Sequence, residues 1–552
     1  EDRREHEQAF ELYLALSERN GQSAVARADN PHVHVDAGEW VAGKLVDTWN
    51  AADETVRAAL DPRIVAAGEK ALAADAAARV RFVRYFGFHP SAAAVMRSLA
   101  ETYAAEGEFL AAENVLLRLS NHADPEIAAD ATERLARLLV EFHQPHDAAQ
   151  CLARLADRFL DTRLANGLTG REHVETLRRQ NEGSLFEQPA PIVWDDADVR
   201  VEASGTGYTS DLNRELQTAG SRLPFFRSLR LQLHQNQERL SLVNARDESL
   251  YWMVPLRHSE DNANHGAQSH AQISGHQVVF LYNDVVYCLS PVERKIVWTM
   301  PVDSRGQFAG YSRGSTRGSA APRFLSGSRI LSQYGLPQSR AGGLLAVANG
   351  NYVCVYGRRS FAVYDALNGE ELWTCRDVAK NTRIYGTDDV LYVLPQARSQ
   401  AAAYRARDGK QLDVDDVARL LQRTIATIGN GLVQVDTGAA RDAIVVSSRD
   451  PVSKTEFWSR QISAKANVAL IDDDCLAVLD PAEGLSLVDL ETGRESPFKF
   501  DVDVETAMNQ LKSSADLYSV CDPYAVYLIF NKRRQSQQYN TNQLPAVPIN
   551  GV

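Results

Sequence analysis

Few residues of this 552-residue chain are spaced for chemistry. Asp472-Asp473-Asp474 offers carboxylate oxygens of the kind calcium takes. The central Gly and distal Glu of an EF-hand loop are missing, and three acids in a turn between strands are more simply solvated. His32-x-His34-x-Asp36 would set two imidazoles on one side of a strand, a metal pair with no third ligand close in sequence. His143-x-x-His146 falls between two helical segments and reads as capping or surface. Arg305, Arg313, Arg317 and Arg323 belong to a Gly- and Ser-containing stretch, 304–342, that has no acidic residue. Guanidinium forks bind carboxylate and phosphate oxygens bidentately, so these four could contact an anion or an acidic partner. A solvated loop is the plainer reading.

The six cysteines stand far apart at 151, 288, 354, 375, 475 and 521. Without a C-x-x-C pair, neither structural zinc nor dithiol exchange is indicated. Apolar settings such as Val286–Leu289 read as strands holding buried free thiols. There is no nucleophile elbow, phosphate loop or zincin motif. No catalytic residue, cofactor-binding residue or metal ligand is assigned.

What recurs instead is a structural frame. Phe361–Trp373 reads as a strand, a tight turn with Asn368-Gly369 at positive φ, and a return strand ending on tryptophan. The frame Asp365–Trp373 reappears as Asn244–Trp252, Ser290–Trp298 and Asp450–Trp458. Weaker copies run Arg405–Asp413, with Asp408-Gly409, and Asp489–Pro497, with Thr492-Gly493. The frames end at 252, 298, 373, 413, 458 and 497, in steps of 46, 75, 40, 45 and 39. Strand-rich units of about 40 to 45 residues with a periodic Trp are the pattern of propeller blades. The long step holds one unit with an insertion or two units.

These residues carry a resemblance. Tyr364–Trp373, and Leu487–Arg494 for the first half, are similar to the A-x-D-x-x-T-G-x-x-x-W repeat of the PQQ-binding-like β-propeller superfamily. That superfamily includes quinoprotein alcohol dehydrogenases and the outer-membrane assembly lipoprotein BamB. The resemblance implies a propeller of six to eight blades with a bacterial periplasmic or cell-envelope setting. The helical region in front resembles that of large propeller proteins of planctomycete-type bacteria. Quinoprotein dehydrogenases set calcium and a catalytic Asp on the axis, under a vicinal disulfide or a stacked Trp. This chain has no adjacent cysteines, and those ligands do not map onto it.

Residues 1–183 read as helices, with segments at 7–16, 40–50, 53–60, 63–74 and 76–86 and breaks at Pro and Asp between some of them. Leu99-Ala100, Tyr103, Gly107 and Ala112 recur 36 residues on as Leu135-Ala136, Leu139, His143 and Ala148. Small residues at a helix crossing allow close antiparallel packing, so 90–105 with 108–120 and 124–142 with 145–159 read as TPR-like hairpins. The segment 184–196, with Pro189 and Pro191, is the linker. The β-propeller then spans 197–552 with the insertion at 304–342, and one helix is expected at Val414–Gln422.

A net charge of −13 argues against nucleic acid, and no run of 18 apolar residues is present to cross a membrane. The start, Glu1-Asp-Arg-Arg4, is not an intact signal peptide. Pro548–Val552 reads as an opening strand, so a fragment cut inside its last blade is expected. The fold class expected is multidomain, a TPR-like α-helical solenoid followed by an all-β PQQ-like propeller. The expected function is a non-catalytic protein–protein interaction scaffold of the cell envelope, without cofactor. The structural anchors are Trp252, Trp298, Trp373, Trp458, Gly369, Gly409 and Gly493. The alternative is a quinoprotein-type oxidoreductase or ligand-binding propeller with PQQ and calcium in the central channel.

Overall fold

The computed structural model describes residues 3–17, 24–180, 213–302 and 345–497, apart from short loops and 257–269, and the strands at 325–326, 516–521, 526–531 and 546–547. Arg305, Arg313, Arg317, Arg323, the linker 184–196, Asp473-Asp474 and residues 548–552 lie outside the described residues.

Nine helices come first among them: α1 (Arg3–Ser17), α2 (Ala37–Ala51), α3 (Glu54–Leu72), α4 (Ala76–Phe86), α5 (Ala92–Ala105), α6 (Phe109–Ser120), α7 (Pro125–Glu141), α8 (Pro145–Arg158) and α9 (Gly170–Gln180). Asp36, Asp53, Asp75 and Asp124 start four of them, each side chain accepting a hydrogen bond from a backbone N–H of the first turn. The break expected near Asp61-Pro62 does not occur, because α3 runs through Pro62. Val56, Leu60, Ile64 and Ala71 form a continuous buried stripe across it. An interior Pro costs about 3 kcal/mol, while each large apolar side chain buried returns roughly 1.5–3 kcal/mol, so the stripe carries the helix past the proline.

Helices α5 to α8 pack in succession around Met96, Leu99, Ala112, Leu116, Leu135 and Ala148, which include residues of the 36-residue recurrence.

The sequence reads 1–183 as helical throughout, and the structure differs at 24–36. Ala24–Ala26 and Val33–Asp36 form an antiparallel hairpin. Its second strand pairs with Glu371–Arg376, setting Val35 opposite Trp373 and Val33 opposite Cys375. Both valines are fully buried there, so alternation that a short helical segment could not use fills a sheet edge instead.

Seven sheets follow among the described residues, six of them built on four-stranded antiparallel meanders or their extensions. In chain order their strands lie within 213–255 (sheet I), 270–301 (II), 345–376 (III), 383–412 (IV), 424–463 (V), 467–497 (VI) and 516–547 (VII). The hairpin makes sheet III six-stranded; Gln217–Ala219 extends sheet II by one parallel strand, and Leu325–Ser326 from the insertion extends sheet VI. The long step of 75 therefore contains one described sheet, III. A short helix, Val417–Arg423, begins three residues later than expected.

The repeating frame is the turn between third and fourth strands. Asp365 N–H donates to the Glu370 carbonyl at 2.8 Å and Gly369 N–H to the Asp365 carbonyl at 3.0 Å. The loop is thus Ala366–Gly369, four residues long, and only Gly369 in it has positive φ, at 71°. This corrects the two-residue turn expected from Asn-Gly. The Asp365 carboxylate occupies the turn's free donors, accepting from the N–H groups of Leu367 and Asn368 at 2.9 and 3.0 Å, which favours the longer loop. The fifth position of all six frames has positive φ: Glu248, Arg294, Gly369, Gly409, Lys454 and Gly493. In the four frames ending on Trp, the ladder slips one residue before the indole, skipping Tyr251, Val297, Leu372 and Phe457. Such bulges turn the strand and re-aim the next side chain.

The re-aimed indoles bridge sheets. Trp298 Nε1 donates to the Ala366 carbonyl of sheet III at 3.0 Å, Trp373 to Ala406 of sheet IV at 2.6 Å, and Trp458 to Leu490 of sheet VI at 3.0 Å. A Cβ at Gly369, Gly409 or Gly493 would lie against the same indole, 2.9 Å or less from its ring. Trp252 ends sheet I and packs at the edge of the core shared by sheets I and II.

Two substitutions weigh these contributions. Trp373→Ala empties a fully buried site and is expected to lower stability by about 3–5 kcal/mol. Gly409→Ala should cost about 1–3 kcal/mol from positive φ plus the indole contact, whereas Lys454→Gly, relieving φ of 59°, should be neutral or stabilising. Denaturant midpoints check all three, and equal losses for Gly409→Ala and Lys454→Gly would refute the role given to the turn.

Candidate functional site at the seam of helices and sheets

In an antiparallel meander the first and third turns share one end of the strands, and the helices meet the sheets at that end. Glu293 of the third turn in sheet II accepts from the N–H groups of Phe109 and Leu110 at 3.0 and 3.4 Å, where the open donors of α6 favour an anion. Lys295 pairs with Glu108 at 2.6 Å. Across the molecule, Arg154 and Arg158 of α8 both pair with Glu491 at 2.6 Å, and Arg494 pairs with Asp157 at 2.6 Å.

The centre of the seam is charged and dry. Gly275-His276, the first turn of sheet II, enters the helical layer, where His276 is fully buried. Its Nδ1 lies 2.6 Å from Glu113 Oε1, and its N–H donates to Glu113 Oε2 at 2.9 Å. Nε2 faces Asp147 Oδ1 at 3.8 Å, beyond hydrogen-bond distance. Phe109, Phe225 and Phe226 surround the ring. Desolvation alone would lower the imidazole pKa, but Glu113 and then Asp147 outweigh it and raise the value. Burial raises the Asp147 pKa as well, against the pull of His276.

A second network ties α2 and the hairpin to the third turn of sheet IV. Arg405 grips Asp408 with two nitrogens at 2.7 Å and reaches Asp47 at 2.9 Å and the Gly43 carbonyl at 3.2 Å. Arg27 reaches the buried Asp408 from the hairpin side at 3.1 Å. A side chain at Gly43 would overlap the Asp408 carboxylate, so the helix backbone approaches only because that residue is glycine. Desolvation pushes the Asp47 carboxyl up, yet Arg405 and Lys410 hold it below its ordinary value. Glu39 is shared by Arg84 and Arg407, each at 2.7 Å.

Near this network two charged side chains face each other's field. Arg118 of α6 is exposed to solvent, yet surrounding protein desolvates its guanidinium and, with Arg407, lowers its pKa. Asp388, in the first turn of sheet IV, feels its attraction, and its carboxyl is raised to about 6 by desolvation and by Asp389 and Glu491. Among the described residues no hydrogen bond reaches its carboxylate, while Asp389 accepts from Asn430 at 2.8 Å.

Some seam residues, such as Arg405 and Asp408, fall inside the repeating frames, but none was assigned a charge partner from sequence. Glu113 stands 163 residues from His276 and Asp408 stands 381 from Arg27, and no motif spacing marks those pairs. Trp298 with Gly369, Trp373 with Gly409 and Trp458 with Gly493 are placed together as inter-sheet contacts, and Gly409 and Gly493 directly adjoin the seam residues Asp408 and Arg494. His34 lies in the added strand and His32 pairs with Asp377 at 3.4 Å; the two do not converge on a third ligand among the described residues.

The seam has a pH signature. His276 holds its proton more tightly when folded, so its contribution is full below the ordinary imidazole value of 6.5 and falls as pH rises through the raised one, while the contribution of Asp147, also raised, already falls as pH rises past 3.8. Stability measured from pH 6 upward should decline, and His276→Gln should flatten that decline. Glu113→Ala, which strands a buried imidazole, should cost about 3–5 kcal/mol.

Residues 236–496 match the family model described as outer membrane protein assembly factor BamB. No curated protein matches the chain. Among solved structures it is similar to Kluyveromyces lactis Hsv2, at 10% identity over 58% of this chain and 91% of that one, with a TM-score of 0.25. The crystal structure of Kluyveromyces marxianus Hsv2 gives 11% identity over 55% and 85%, with a TM-score of 0.24. A complex of KlAtg21 with the AgAtg16 coiled coil gives 9% over 56% and 92%, with a TM-score of 0.27. Over residues 236–496 this chain therefore carries a PQQ-like-repeat β-propeller of the BamB-like family.

Proposed function

We propose that the protein is a non-catalytic interaction scaffold of a bacterial cell envelope, in which TPR-like helices brace a BamB-like propeller and the rim of the propeller receives other proteins. The observation that carries this reading is where large apolar side chains meet solvent. Of the nine large apolar side chains exposed among the described residues, Leu250, Met253, Ile296 and Phe457 lie on fourth strands, the outermost of their sheets, while Leu12, Leu16, Val80 and Val140 lie on helices and Val452 in a turn. Exposed apolar groups gathered on one class of surface suit protein contact. BamB-like propellers are associated with envelope assembly, which supports the compartment. The seam's buried charges hold the helices against the turns, leaving the rim as the broad surface.

One observation favours a second reading, a small ligand held at the channel. Arg118 and Asp388 offer opposite charges beside an inner turn, with no hydrogen bond between them among the described residues.

Photocrosslinking residues placed at Leu250 and Phe457, in the chain expressed in its native cell, should trap discrete proteins, and one at Asp389 should not. Adducts only at Asp389, or stoichiometric uptake of PQQ with calcium seen by absorbance, would defeat the scaffold reading in favour of the second.

A further inference from the structure

An edge strand presents unpaired N–H and C=O groups, which proteins guard by charge, by proline or by covering. On the propeller rim the guards differ. In sheet III the edge Glu371–Arg376 is covered by Val33–Asp36. In sheet V the edge Thr455–Ser463 shows exposed Glu456 and Arg460, the latter turned onto the Gly493 carbonyl at 2.7 Å. In sheet II, Lys295–Pro301 is the outermost strand among the described residues. Between its terminal Lys and Pro it carries Ile296, Val297, Trp298, Thr299 and Met300, none of them charged.

This edge borders the covered one, because Trp298 reaches the sheet III turn. The side of sheet III facing it is opposite to that of Val33 and Val35. Tyr364 packs there with Trp298 and Met300. Glu371, the register partner of Tyr364, shares that side, is exposed, and has no ion pair among the described residues. By strand alternation His34 lies on this side too, and its buried Nδ1 has no hydrogen-bond partner. The result is a groove with an apolar floor, an open backbone edge and an unpaired carboxylate on its far wall.

We propose that the Ile296–Met300 edge docks an extended segment of a protein partner as an added antiparallel strand, whose row of alternate side chains facing sheet III is apolar over Trp298 and Met300 and ends in a Lys or Arg toward Glu371. The hairpin in cis supplies the template, since Val35 and Val33 lie over Trp373 and Cys375 of the neighbouring edge in the same way. Trp373 is fully buried under that strand, whereas Trp298 is only partly so. Main-chain hydrogen bonds provide affinity, and alternate side chains provide selection. The proposal rests on the scaffold reading and specifies one of its surfaces.

The probe is a synthetic acetylated and amidated ten-residue peptide with Thr at the odd positions and Lys, Val, Val, Val and Lys at the even ones, so that its Lys and Val share one face, titrated onto the full chain beside a copy N-methylated at four consecutive central residues. The peptide should bind and slow amide exchange at 296–300. Loss of two or more strand hydrogen bonds should weaken the N-methylated copy about tenfold, and Ile296→Lys should weaken the peptide about tenfold. Glu371→Gln should weaken it about threefold, with the loss shrinking in high salt, as an exposed ion pair requires. If Ile296→Lys does not fold by circular dichroism, Glu371→Gln and the N-methylated copy decide.

Equal binding of the N-methylated copy would mean adhesion of side chains alone and overturn the proposal. So would unchanged affinity in folded Ile296→Lys, or amides at 296–300 already as protected in the free chain as those of Glu371–Arg376, which would mean that another segment or a second copy covers the edge. Any of these together with persistent crosslinks at Leu250 and Phe457 removes this edge and leaves the scaffold. Loss of those crosslinks removes the scaffold itself.

Discussion

The structure depends on one contact repeated between neighbouring sheets: an indole N–H donated to the carbonyl beside the next sheet's turn, with the turn's fifth residue flattened against the ring. The carbonyl must point outward and the turn must lie flat, and both follow from a left-handed residue at that position. Where it is glycine, the indole can close to contact; where it is Arg294 or Lys454, the side chain must leave the site. Arg294 does so by stacking its guanidinium on Tyr251, 4.8 Å from the ring centre. The repeat is therefore a rule about backbone conformation first and about tryptophan second.

The same contact explains why the rim is uneven. A bulge before each Trp aims the indole sideways into the next sheet, so the fourth strand presents its backbone edge outward with little side-chain cover. In sheet III the N-terminal hairpin supplies that cover, and Trp373 becomes one of the most deeply buried side chains in the chain. The helical part is thus joined to the propeller twice, through main-chain pairing at the rim and through charge at the turns. The buried His276–Glu113 pair and the Arg405–Asp408–Arg27 network are individually weak sources of net stability, since desolvation offsets most of their attraction. Their effect is directional: each leaves an uncompensated charge if the helices shift, which fixes where the layer sits.

Much of this was legible in the residues. Alternation marked the strands, the spacing of Asp, Gly and Trp marked the third turn and fourth strand, and Pro and Asp marked breaks between some of the helices. The misreadings have physical causes. Asn368-Gly369 looks like a two-residue turn, but the Asp365 carboxylate supplies acceptors that stabilise a longer one. Pro62 looks like a stop, but the buried stripe on both sides of it outweighs one missing hydrogen bond. The site was the least legible part. Glu113 and Asp147 look like ordinary surface acids in a chain rich in them, and only long-range packing gives them His276.

By itself the sequence determined the periodic elements, because period, turn chemistry and capping act over a few residues and are written in neighbouring positions. It also determined the PQQ-like repeat that residues 236–496 carry, since that repeat needs Asp, Gly and Trp at set intervals. The tertiary structure alone decided that Val33–Asp36 joins sheet III rather than the helices, that His276 meets Glu113 across 163 residues, and that the sheet II edge stays open among the described residues. These outcomes depend on which surfaces meet once water is excluded, and that competition is settled between distant segments, where no local spacing records the result.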